Sequence, residues 1–165
     1  MQTDHLTGKD AFHIHHVEAD PFTYTPPFSF TVGLGKSNLP ELIVFALNAD
    51  VSEEILRRLI DQLLFDGVVL VDGATIERVA TVKLKVRELG QNLYGNFLPN
   101  TGRYAEKNRM QLKVFQLVLP DPNGRFPGDV GCDAMTSYSQ IIEAFIRAPS
   151  DSISLTFNKE PKIRF

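Results

Sequence analysis

Three of the chain's four histidines, His13, His15 and His16, fall within four residues. Imidazole is the side chain best matched to proton transfer near neutral pH, and it is a common metal ligand. In an extended segment alternate residues share a face, so His13 and His15 point one way and His16 the other. A carboxylate from Asp20, Asp121 or Asp129 beside them would complete an acid–base pair of the kind hydrolases use. No H-E-x-x-H or comparable spacing accompanies them, so no metal is assigned. The plain alternative is an exposed polar strand face.

A second set is cationic. Lys83, Lys85 and Arg87 alternate with Val82, Leu84 and Val86, which predicts a half-buried strand over 79–89 with three cations in a row on its open face. Arg103, Lys107, Arg109 and Lys113 extend the block: residues 83–113 carry seven Lys/Arg and two Glu, a net +5 inside a chain of net charge −3. Such asymmetry marks either an anion site or a solvated face. The turn Gly33–Asn38 adds backbone amides, Lys36 and Ser37, a combination able to cradle an anion. It lacks the G-x-x-x-x-G-K-[S/T] spacing of a phosphate loop, and its glycines equally serve backbone geometry. The loop Pro120–Asp133 groups Asp121, Arg125, Asp129, Cys132 and Asp133, either as a site or as a loop closed on itself. Cys132 as a nucleophile would need one of the N-terminal histidines as its base.

The elements that must position these residues are legible in outline. The chain has 165 residues, enough for one domain with a real core; it is 43% hydrophobic and 22% charged, with twelve Phe and no Trp. Its single cysteine excludes an intrachain disulfide framework and fits a reducing compartment. No apolar run approaches the length of a membrane helix, and the N-terminus shows no signal-peptide core, so a cytoplasmic protein is expected. Strands are predicted at 12–17, 28–34, 41–47, 79–89 and 112–119. The apolar run from Glu41 to Leu47 should be central in its sheet. Asp50 should cap a helix, with Glu53 as its capping-box partner and Ile55, Leu56, Leu59, Ile60, Leu63 and Leu64 as its apolar stripe; Gly67 ends it. Val68–Val71 is a short strand or connector. Pro99 and Gly102 read as interruptions before a short helix at Tyr104–Met110, with Thr101 near its cap. Ser137 should cap a last helix striped by Ile141, Ile142, Phe145 and Ile146, and an edge strand is predicted over Ile153–Phe157. The fold class is therefore α+β: one domain over 12–158, a mainly antiparallel or mixed sheet with two or three helices, and peripheral tails at 1–11 and 159–165.

Two stretches carry a resemblance. Phe30-Thr31-Val32-Gly33-Leu34, then Leu39-Pro40-Glu41-Leu42-Ile43-Val44, resembles the Y-T-V-G-L and P-E-L-I-V signature of the bacterial family known as domain of unknown function 4262. Phe115-Gln116-Leu117-Val118-Leu119-Pro120-Asp121, then Gly124-Arg125-Phe126-Pro127, resembles that family's L-Q-L-V-x-P-D and G-R-F-P segment. The strand Phe12–Val17 is similar to its first strand, so the likeness spans roughly residues 12 to 130. The chain departs from the pattern at Phe30, where Tyr is usual, and at Gly128, where an aromatic commonly follows the proline. The 96–103 stretch, with Pro99, reads as irregular where the family is more helical. The resemblance implies a domain identity and no activity.

Three functions are compatible with these residues. The first is a soluble module binding a small anionic, nucleotide- or phosphate-like ligand through Gly33, Lys36, Ser37, Lys83, Lys85, Arg87 and Arg125. It expects the cationic strand to converge with the Gly33–Asn38 turn on a pocket. The second is a hydrolase built on His13, His15 or His16 with Asp20, Asp121 or Asp129. The third is a protein-interaction module of the immunity type, with a flat apolar surface and no small-molecule site. Nucleic acid is an unexpected partner, because the chain is acidic overall and lacks a wide basic field interleaved with aromatics.

Overall fold

A computed structural model of the chain describes residues 12–90 and 98–140. The predicted stripe at 141–146, the strand at 153–157 and both tails lie outside the described residues. The strands are β1 (His13–Val17), β2 (Phe28–Val32), β3 (Glu41–Phe45), β4 (Thr75–Ile76), β5 (Leu84–Glu88) and β6 (Val114–Val118). They form one sheet in the order β1-β2-β3-β6-β5-β4. All neighbours are antiparallel except the central pair, in which Leu42 lies beside Phe115 and Val44 beside Leu117 in parallel. With helices α1 (Ala49–Phe65), α2 (Pro99–Lys107) and α3 (Ala134–Ser139), the chain is a single α+β domain.

Strands β2, β3 and β6 are buried along their whole length, as expected where both faces of a sheet are covered. On one face α1 packs Leu56, Leu59 and Ile60 over Val44, Leu84 and Leu117. On the other, Phe28, Phe30, Ile43, Phe45 and Val114 form a second cluster with Leu98 at the start of α2. Phe28 stacks on Phe30, and its ring lies 5.4 Å from that of Phe45, so phenylalanine fills this layer in the absence of tryptophan.

Several local expectations are corrected. The cap of α1 is Asn48, whose side chain accepts the amide of Val51 at 2.9 Å; Asp50 sits inside the first turn, where its charge still complements the helix dipole. Glu53 is no capping-box partner of Asp50, but the i,i+4 pairs that the spacing predicts, Glu53 with Arg57 and Glu54 with Arg58, form on the exposed side. Gly67, at φ +67°, follows the C-cap Asp66 as predicted. Pro99 does not interrupt a helix but opens one: α2 starts there, at the position where a missing N–H costs nothing, and runs through Gly102 to Lys107. Thr101 is buried within α2, and its hydroxyl donates to the Thr31 carbonyl at 3.1 Å, tying helix to sheet. The strand predicted over 79–89 begins only at Leu84, and Val82 is exposed ahead of it. Residues 68–71 are a connector, and β4 is a two-residue strand that pattern alone did not show. Asp133, not Ser137, caps α3, accepting the amide of Thr136 at 3.0 Å.

Candidate functional site

The turn between β2 and β3 is where the sequence offers an anion a cradle, and the chain fills that cradle itself. Gly33 adopts φ 112°, a conformation that side chains resist, and a 3-10 turn over Leu34–Ser37 follows. The Glu41 carboxylate reaches back into this turn. Its Oε1 accepts the amides of Gly33 (2.9 Å) and Gly35 (3.3 Å), and its Oε2 accepts the Thr31 hydroxyl at 2.6 Å. The Thr31 oxygen in turn accepts the Leu42 amide at 2.9 Å. The remaining amides of the turn close internally: Lys36 on Gly33, Asn38 on Gly35 and Leu39 on Leu34. Glu41 is 3% exposed; burial pushes its carboxyl above the ordinary range, against the lowering effect of the Thr31 and glycine donors. An external anion therefore finds Gly33 and Ser37 in a turn whose amides are taken. Lys36 extends over the Tyr104 ring, 5.5 Å from its centre.

The outer wall of this turn nevertheless lines a cleft of about 690 Å³. Gly35, Asn38 and Pro40 form one side, with the Met110 thioether against Gly35; an added Cβ there would lie 3.0 Å from the Met110 Cε. Val68, Val69, Met110 and Leu112 supply apolar surface above the buried Leu63, Leu70, Leu89 and Phe115, and among the described residues of the lining Glu88 and Lys113 are the ionisable ones. Lys113 is exposed, its ammonium lies 5.4 Å from the centre of the Phe115 ring, and among the described residues no carboxylate pairs with it.

The expected cations do not converge on the turn. Lys85 and Arg87 share one face of β5, as predicted, but neither lines this cleft. Lys83 precedes the strand and pairs with Glu77 at 2.9 Å; with Val82 and Phe126 it lines a second cleft of about 600 Å³. Arg87 lies 3.7 Å from Asp72. The Lys85 ammonium sits 4.7 Å from the centre of the Phe126 ring, a cation–π contact.

The histidines do not meet the expected carboxylates. His13 and His15 are exposed on one face of the edge strand β1, and His15 stacks on Phe30 at 5.4 Å. His16 faces the other way, with Nδ1 2.7 Å from the Ser29 hydroxyl and Nε2 3.5 Å from Glu18. Hydroxyl, imidazole and carboxylate stand in the order of a nucleophile relay, yet Ser29 is 1% exposed and out of a substrate's reach. Asp20 accepts the Phe22 amide and the Thr23 hydroxyl of its own loop, and the Thr23 bond foremost holds its carboxyl below the ordinary value. Strand β1 lies three positions from β6 in the sheet, roughly 14 Å at ordinary strand spacing, so the loop after β6 starts well away from the imidazoles. Among the described residues no three His, Cys, Asp or Glu side chains group to hold a metal.

The 120–133 loop is closed on itself. Asp121 Oδ1 accepts the amides of Asn123 and Arg125, and Oδ2 accepts that of Asp133. The Arg125 amide foremost holds the Asp121 carboxyl below its ordinary value. Asp129 accepts the Phe126 amide, and Arg125 Nη1 donates to the Gly131 carbonyl at 2.6 Å. The Cys132 thiol faces backbone carbonyls of Arg125 and Asp133 and, among the described residues, no histidine. The loop displays Val130, with Met135 and Tyr138 exposed on α3 beyond it. That is an apolar surface, though not the pocket-free one expected of a pure interaction module.

Sequence reasoning missed Glu41 as the turn's internal anion and Lys113 as the cleft's cation. Both had a signal: a lone acid at the head of an otherwise apolar strand, and a lysine entering the next one. The residues that carried the resemblance prove to be the builders of these features. Thr31, Gly33 and Glu41 make the turn, and Asp121 and Arg125 make the loop. The chain belongs to the family described as a domain of unknown function (DUF4262), whose model matches residues 8–133. No curated protein and no solved structure matches it. Among the described residues no helix is long and apolar enough to cross a membrane.

Proposed function

We propose that this member of a family without an assigned activity is a binding module for a small anionic ligand, held in the cleft beside the Gly33–Asn38 turn with its negative group on Lys113. One observation carries the proposal. Lys113 lines a cleft of about 690 Å³ and has no ion-pair partner among the described residues, whereas Lys83 and Arg87 each face an acid. The volume lies within the range of about 300–1,000 Å³ common for small-molecule sites. A hydrolase has less support, because Ser29 is buried and Asp20, Asp121 and Asp129 each bond within their own loops.

Thermal melting against a panel of anions tests the proposal. A ligand at about 100 times its Kd stabilises the folded state by about 2.7 kcal/mol, enough to raise Tm by several degrees. The shift should vanish in Lys113→Glu and persist in the triple variant Lys83→Ala, Lys85→Ala, Arg87→Ala. Loss of the shift in the triple variant, with retention in Lys113→Glu, would move the site to the β5 cations.

A further inference from the structure

Resting on that assignment of the cleft, we infer that the ligand is a monoanion with an apolar body, of the carboxylate class, rather than a nucleotide or other polyanion. Five features of the cleft converge on this chemistry. Val68, Val69, Met110 and Leu112, partly or largely exposed, give the cleft apolar surface beside the polar Asn38 and Gln111, which matches a hydrocarbon or aromatic body with one polar end. Among the described residues of the lining the ionisable ones are Lys113 and Glu88, so it offers one ammonium to one negative group. A chain of phosphates would need several cations or a metal, and arginine is the usual bidentate partner for them.

The turn wall also lacks what a phosphate site uses. Phosphates bind at helix N-termini and in nests of free amides. Here the Gly33 and Gly35 amides are held by Glu41, and those of Lys36, Asn38 and Leu39 by carbonyls of the turn. The helix end at the cleft is the last turn of α1, around Leu63; that terminus carries partial negative charge and repels a polyanion. Lys113, by contrast, keeps its ammonium near the Phe115 ring at the edge of the apolar surface. An amphipathic ligand can therefore lay its body on the surface and its carboxylate against the ammonium.

Isothermal titration at fixed ionic strength with octanoate, octan-1-ol, inorganic phosphate and ATP separates the outcomes. Octanoate should bind at least tenfold more tightly than octanol or ATP. Lys113→Ala should reduce it to the level of octanol without changing the melting of the free protein, since Lys113 is exposed. Val69→Asp, which adds a second acid at an exposed position of the lining, should weaken octanoate binding while leaving the fold intact. Tighter, Lys113-dependent binding of ATP or phosphate would overturn this inference and leave the anion-binding module standing. Equal binding of octanol and octanoate, binding indifferent to Lys113→Ala, or no binding of any probe would overturn both.

Discussion

Glu41 shows how a single buried side chain decides what a turn can do. Three donors converge on its carboxylate, and truncation would leave them without an acceptor. Glu41→Ala should therefore lower stability by about 2–4 kcal/mol, measured by denaturant unfolding. The pH dependence has a definite sign. Burial raises the folded-state pKa of Glu41 above the ordinary 4.5, so the folded state holds this proton more tightly than the unfolded chain. Its contribution is fully present below the unfolded pKa and is lost as pH rises through the folded value. Comparing wild type with Glu41→Gln from pH 4 upward should show that decline in the wild type alone. Asp121 has the opposite sign: its folded pKa lies below 3.8, so its hold on the loop is present above 3.8 and lost as pH falls through the folded value. Protection of the Asn123, Arg125 and Asp133 amides against exchange, relative to the free amides, should hold above that point and fall below it; Asp121→Ala should lower it throughout. These roles were only half legible. The turn's glycines were evident from type and spacing, but that its anion is Glu41 depends on a side chain crossing from the next strand.

The elements were more readable than their ends. Strands β2, β3 and β6 and helix α1 were recognisable because long apolar periodicities leave few alternatives. Boundaries turned on single side chains: Asn48 took the cap that Asp50 was expected to hold, and Pro99 served as an opening rather than a break. Asn48→Ala should cost about 1 kcal/mol in thermal or chemical unfolding. Asp50→Ala should cost less, because it removes a dipole contact and not the bond to the Val51 amide. At β5 the alternation was correct for Leu84–Arg87 but was extended too far: Val82 continues the pattern in sequence and leaves the sheet in space. Strand β4 is two residues long, too short to show any period.

The whole molecule is where sequence reasoning ends, because function here depends on contacts between distant segments. The α+β class follows from element order, but the parallel pairing of β3 with β6, over seventy residues apart in sequence, does not. That pairing brings Lys113 and Phe115 beside the turn. The antiparallel partner β5 then brings Glu88 and Leu89 to the same cleft, while Lys85 and Arg87 stay outside its lining. A charge count over residues 83–113 sees one cationic block; the sheet splits it, so the cation at the proposed site is the last of the seven and not one of the alternating three. The direct measurement is amide chemical-shift mapping with octanoate on the intact chain. The account predicts saturable perturbations at Gly35, Leu70, Leu89 and Lys113, abolished by Lys113→Ala. Perturbations centred on Lys83, Lys85 and Arg87, or none at any amide, would contradict it.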